Sequence, residues 1–111
     1  MIVDDEIAVR NMVDLVLRQH GHEVVLAADG QVAIAQLDSG IDPDLILLDR
    51  SMPGPPIQHT LAEIRKRRAG LPVIFFTGQA VAPEERAAVQ DVLYKPLAIA
   101  ELLRSVEKWL P

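Results

Sequence analysis

Five short apolar runs separated by amphipathic stretches predict a single α/β domain, a parallel sheet with helices on both faces. Two observations carry that prediction. The apolar runs are continuous rather than alternating, as in strands buried on both sides. The stretches between them place apolar residues at three- and four-residue steps and tend to close on glycine, as helices do. A chain of 111 residues is long enough for one hydrophobic core but not two, so one domain spans residues 1–111.

The first strand is Ile2-Val3, running into Asp4-Asp5. It is short beside an ordinary strand of about five or six residues, which predicts a chain excised from a longer protein or one that has lost its first residues. The first helix, Ile7 to His20, aligns Val9, Met12, Val13 and Val16 and stops at Gly21. A second strand covers Glu23 to Ala27. The second helix, Gln31 to Ser39, follows Asp29 as N-cap and stops at Gly40. Leu45 to Leu48 forms the third strand. The third helix, Gln58 to Ala69, uses Leu61 and Ile64 and stops at Gly70. Its basic run Arg65-Lys66-Arg67-Arg68 reads as a solvated helix end, where cations complement the dipole.

Val73 to Phe76 is the fourth strand. A short fourth helix follows, Pro83 to about Gln90, with proline suited to its first turn and Glu84-Glu85 to its positive end. The fifth strand, Val92-Leu93-Tyr94, leads to Lys95-Pro96. The fifth helix, Ala98 to Leu110, lines up Ile99, Leu102, Leu103, Val106, Trp109 and Leu110, so Trp109 reads as a core residue.

Composition narrows the function classes. Residues are 50% hydrophobic and 24% charged, as in ordinary globular proteins, but only 4% aromatic, so the core rests on Val, Ile, Leu and Ala. Runs such as Val73-Ile74-Phe75-Phe76 are far too short to span a bilayer, and no signal peptide is visible; the reading is a cytoplasmic domain without membrane contact. With no cysteine, disulfides and thiolate metal sites are excluded. A net charge of −5 argues against direct nucleic acid binding, which needs a basic surface.

Ligands of an open parallel sheet bind beyond the C-terminal ends of its strands. Asp4 and Asp5 stand there on the first strand, Asp49 on the third, Thr77 on the fourth and Lys95 on the fifth. Clustered carboxylates repel one another unless a cation sits among them, and oxygen-only ligands suit Mg²⁺ rather than zinc. An adjacent hydroxyl and ammonium are what a phosphoryl group needs for its oxygens. Metal, carboxylate nucleophile, Lys and Thr together describe phosphoryl transfer onto an aspartate.

The segments Val3-Asp4-Asp5-Glu6, Pro43 to Asp49, Met52-Pro53-Gly54, Phe76-Thr77-Gly78 and Lys95-Pro96-Leu97 resemble the receiver domains of response regulators and hybrid histidine kinases. The resemblance covers essentially the whole chain. It implies a flavodoxin-like, doubly wound (βα)5 fold. It also implies that Asp49 is the phosphoacceptor, that Asp5 and Asp49 bind Mg²⁺ directly, and that Asp4 helps through water. The backbone carbonyl of Ser51 would complete the protein's share of the metal shell. Thr77 would be the switch hydroxyl and Lys95 the partner of the phosphoryl oxygens, with a cis bond before Pro96. The implied partner is a histidine kinase or phosphotransfer domain; no oligomeric state is assigned. Such a domain catalyses its own phosphorylation, and its output is a changed surface rather than a released product. A hybrid kinase and a larger response regulator both fit as the parent.

Three features depart from that family's pattern. Many receivers carry Tyr or Phe three residues before the Lys, where this chain has Val92. Tyr94 shares its strand parity but lies roughly 6–7 Å further along. Pro55-Pro56-Ile57 replaces a loop that commonly has glycine at the position of Ile57. The span from Thr77 to Lys95 is also short. Gln79 and Ser51 occupy positions that tune phosphoryl lifetime in the family, while His20, His22 and His59 read as surface residues.

The rival reading is a pseudo-receiver, the same fold used as a phosphorylation-independent interaction module. An aspartate-nucleophile phosphatase usually has a second Asp two residues after the first, here Ser51. A nucleotide-binding protein would need a Gly-rich phosphate loop, and none is present.

Overall fold

A computed structural model describes residues 1–111. Strands β1 (Ile2–Val3), β2 (Leu26–Ala27), β3 (Ile46–Asp49), β4 (Val73–Thr77) and β5 (Asp91–Tyr94) form one sheet. They alternate with α1 (Ile7–Gln19), α2 (Gly30–Asp38), α3 (Ile57–Arg67), α4 (Pro83–Ala87) and α5 (Ile99–Trp109). All pairings are parallel, in the order β2-β1-β3-β4-β5. This is the doubly wound arrangement expected of the sequence.

Strand alternation sorts the core into two layers. Val3, Ile46, Leu48, Val73 and Phe75 face α2 and α3, packing against Ala33, Leu37, Leu61 and Ile64. Their neighbours Ile2, Leu47, Ile74 and Phe76 face α1 and α5, against Val13, Val16, Leu102 and Val106. Because successive strand residues point to opposite faces, unbroken apolar runs are required wherever both faces are covered. Asp29 caps α2 as expected, accepting from Val32 N at 2.9 Å. Gly21 (φ 85°) and Gly40 (φ 103°) turn the chain through left-handed conformations just after α1 and α2. Trp109 is half-buried against the α1/α5 layer, with Lys108 Nζ 5.1 Å from its ring centroid. No helix is long and apolar enough to cross a membrane.

Several elements differ from the sequence reading. The second strand is confined to Leu26–Ala27, since β1 offers it only the pairs Ile2–Leu26 and Val3–Ala27. Helix α4 ends at Ala87 instead of Gln90. Beyond it Val89 turns into the core, and Gln90 is already tied to β4. Its amide donates to Val73 O at 2.9 Å, and its side-chain oxygen accepts from Val73 N at 2.7 Å. The basic run is a set of fasteners rather than a solvated end. Arg67 bonds Asp38 at 2.6 Å, Arg68 bonds Asp42 at 3.1 Å, and Arg65 binds the carbonyls of Leu71 and Ala88. Lys66 is the most exposed of the four, and it pairs within its own helix with Glu63 at 2.9 Å.

Candidate functional site

The sheet brings the predicted acids to one edge. β3 lies between β1 and β4, and its register sets Asp49 beside Phe76, one residue before Thr77. Thr77 in turn is level with Tyr94, the residue before Lys95. Asp4 and Asp49 are buried, at 0% and 1% exposure, while Asp5 is exposed. Ligand oxygens of Asp4, Asp5 and Asp49 all lie within 4.8 Å of one another.

Each buried acid is half satisfied by the backbone that follows it. Asp4 Oδ1 accepts from Glu6 N at 2.8 Å, and Asp49 Oδ1 from Ser51 N at 2.9 Å. Both Oδ2 atoms point toward the ammonium of Lys95, each 3.5 Å from Nζ. That is ion-pair range but too long for a good hydrogen bond. Asp4 Oδ2 is buried and has no hydrogen-bond partner. The nearest acceptor to Lys95 is Glu6 Oε1, at 3.2 Å on the rim.

Charge in the pocket is unbalanced. Burial pushes the Asp49 pKa above the usual aspartate range, and the neighbouring Asp4 adds to this against the pull of Ser51 N–H and Lys95. Burial alone would lower the Lys95 pKa, but the carboxylates of Asp49, Asp4 and Glu6 outweigh it and raise it.

Thr77 is at the same edge but turned aside. Its hydroxyl donates to Gln79 O and accepts from Gln79 N, both at 3.0 Å. The Lys95–Pro96 bond is cis, as the resemblance implied, and Lys95 N donates to Thr77 O at 2.8 Å. Val92 packs beside the core layer that holds Phe75, its register partner, while the Tyr94 ring is 52% exposed. His20 and His22 lie just past the C-terminal end of α1, across the domain from the acids that precede that helix.

Three participants escaped the sequence reading. Glu6 engages Lys95, Arg10 Nη1 donates to Asp4 O at 2.9 Å, and Arg50 makes a two-pronged ion pair with Glu85. Glu85 was legible only as an acid at a helix start, and nothing local in the sequence pairs it with Arg50.

The family model for the response regulator receiver domain matches residues 1–107. The chain belongs to that family. Among curated relatives, the transcriptional regulatory protein TrcR of Mycobacterium tuberculosis is 31% identical over 107 residues, 93% of this chain and 41% of TrcR. The DNA-binding transcriptional regulator NtrC of a Bradyrhizobium is 31% identical over 115 residues, 99% of this chain and 24% of NtrC. The receiver therefore spans less than half the length of either. Among solved structures, the receiver domain of NtrX from Brucella abortus superposes with a TM-score of 0.88 at 30% identity, covering 98% of this chain and 95% of that one. The receiver domain of the hybrid histidine kinase CckA gives 0.84 at 32% identity, with 99% and 96% covered. The receiver is a phosphorelay module by this kinship, and the comparisons give no support to the phosphorylation-independent alternative.

Proposed function

We propose that this receiver takes a phosphoryl group from the phosphohistidine of a histidine kinase or phosphotransfer domain onto Asp49, with Mg²⁺ bound beside it. The observation that carries the reading is the convergence of three carboxylates within 4.8 Å, among them the buried Asp4 Oδ2, which accepts no hydrogen bond and has only the Lys95 ammonium at 3.5 Å. A buried acceptor without a hydrogen bond is costly, and one ammonium does not balance three clustered carboxylates; a hard cation with oxygen ligands does. Asp5 and Asp49 would hold the ion directly, Asp4 through water, and Ser51 through its backbone carbonyl. Bound there, Mg²⁺ would offset negative charge on the transferred oxygens.

The chain's own groups account for the rest. Ser51 N–H fixes Asp49 Oδ1, which leaves Oδ2 free to attack phosphorus in line. The P–N bond to the donor imidazole breaks as the new O–P bond forms, and its electron pair stays on the imidazole nitrogen. Lys95, 3.5 Å from Asp49 Oδ2, would pair with a phosphoryl oxygen. Phosphorylation leaves about −2 where −1 stood. A unit charge pair at about 4 Å and an effective dielectric near 20 is worth on the order of 4 kcal/mol. That is comparable with the roughly 5.5 kcal/mol needed to invert a two-state equilibrium from 1:99 to 99:1. Thr77 would exchange its Gln79 contacts for the phosphoryl group, dragging the loop before α4. A cytoplasmic site of action goes with this reading.

Incubation with acetyl phosphate and Mg²⁺ tests it by intact mass. The wild type should gain one labile phosphoryl group and Asp49→Asn none. If neither gains mass, the interaction-module alternative is favoured; if both do, another residue is the acceptor.

A further inference from the structure

We propose that Arg50 and Glu85 are positioning residues, a latch that holds α4 in its unphosphorylated place and is released when Asp49 is loaded. The proposal rests on Asp49 being the phosphoacceptor.

The pair is the strongest contact α4 has. Arg50 Nε donates to Glu85 Oε2 at 2.7 Å and Nη2 to Oε1 at 2.8 Å, the bidentate geometry that guanidinium and carboxylate favour. The two side chains are only 20% and 14% exposed. No residue of α4 itself is buried, and its other ion contact, Arg86 to Asp91, is 3.8 Å long with Arg86 half exposed. The helix is therefore fastened by charge rather than by packing.

The latch has one end on each side of the expected movement. Arg50 directly follows Asp49, and its amide donates to Phe76 O at 2.8 Å, so its backbone is fixed to the end of β4. Glu85 lies at the far end of the segment that begins at Thr77. That segment is now stabilised by the paired Thr77–Gln79 bonds. Turning the Thr77 hydroxyl toward a phosphoryl group breaks those bonds and shifts the segment carrying Glu85 while Arg50 stays put. A bidentate pair tolerates little such displacement. The ion pair thus belongs to one of two states, and it biases the equilibrium between them.

Amide hydrogen exchange over residues 83–87 tests this on the Mg²⁺-equilibrated protein, with and without beryllofluoride as a stable phosphoryl mimic. Beryllofluoride should speed exchange of α4 in the wild type. Glu85→Gln should speed it about fivefold without the mimic, the scale of a partly exposed ion pair. By linkage, the same variant should bind beryllofluoride about fivefold more tightly. The exchanged pair, Arg50→Glu with Glu85→Arg, should return both readouts toward wild type. Unchanged α4 exchange in Glu85→Gln overturns the latch. So does faster exchange with unaltered beryllofluoride affinity, because a purely local fastener would behave that way. Wild-type protein that gains no phosphoryl mass from acetyl phosphate and binds no beryllofluoride removes the Asp49 reading, and the latch falls with it.

Discussion

All four residues of β3 and all five of β4 are buried, whereas α4, which follows β4 in the chain, buries none. The first region carries Asp49 and Thr77; the second would report on them. Close-packed strands hold a side chain's position to a fraction of an ångström because any shift opens voids. A helix held by a partly exposed ion pair has no more than about 1 kcal/mol to lose. The geometry of the acidic pocket is thus set by packing, and the element proposed to move is held by charge.

The largest effect that could break this contrast is a core truncation. Phe75→Ala, at a residue 1% exposed, should cost about 3–5 kcal/mol in urea unfolding, against about 1 kcal/mol or less for Glu85→Gln. Equal losses from the two substitutions would mean that α4 is packed as firmly as the sheet.

Next in size is the metal. Mg²⁺ at about one hundred times its dissociation constant should stabilise the fold by about 2.7 kcal/mol, because the proposed site exists only in the native state. Asp5→Asn should abolish that gain while leaving the metal-free protein close to wild type, because Asp5 is exposed. A Mg²⁺-dependent rise that survives in Asp5→Asn would place the ion elsewhere.

The same contrast explains what the sequence disclosed. Strand ends, helix faces and the convergence of Asp4, Asp5, Asp49, Thr77 and Lys95 follow from periodicities that packing imposes locally. The resemblance covered the same residues, and the cis Lys95–Pro96 bond came from it alone. Pairings of charge leave no such trace. Glu6 meets Lys95 across 89 positions and Arg50 meets Glu85 across 35, with nothing periodic to mark either. The run Arg65 to Arg68 was misread for that reason: its acids, Asp38 and Asp42, sit on a different segment. The lengths of β2 and α4 were likewise set by partners, β1 for one and, for the other, Val73 of β4, which binds Gln90 through both backbone and side chain.

Acid should separate the two regions by sign, though the effect is the smallest. Hydrogen bonds from Arg50 hold the Glu85 pKa below the ordinary glutamate range. The pair's contribution is therefore complete above that range and is lost as pH falls through the depressed value. Asp49 runs the other way, because burial first and Asp4 second raise its pKa. With a chelator present, ionised Asp49 costs stability near neutral pH. That cost lifts as pH falls through the raised value and is gone below the ordinary aspartate pKa of about 3.9. Urea unfolding across this range should show metal-free Asp49→Asn more stable than wild type near neutrality. Glu85→Gln should be less stable, by about 1 kcal/mol at most. Both differences should shrink toward acid from opposite sides. A metal-free Asp49→Asn that is weaker than wild type at neutral pH would show that Ser51 N–H and Lys95 outweigh burial and repulsion. The pocket would then be held by its polar contacts, as α4 is, and the contrast between the two regions would disappear.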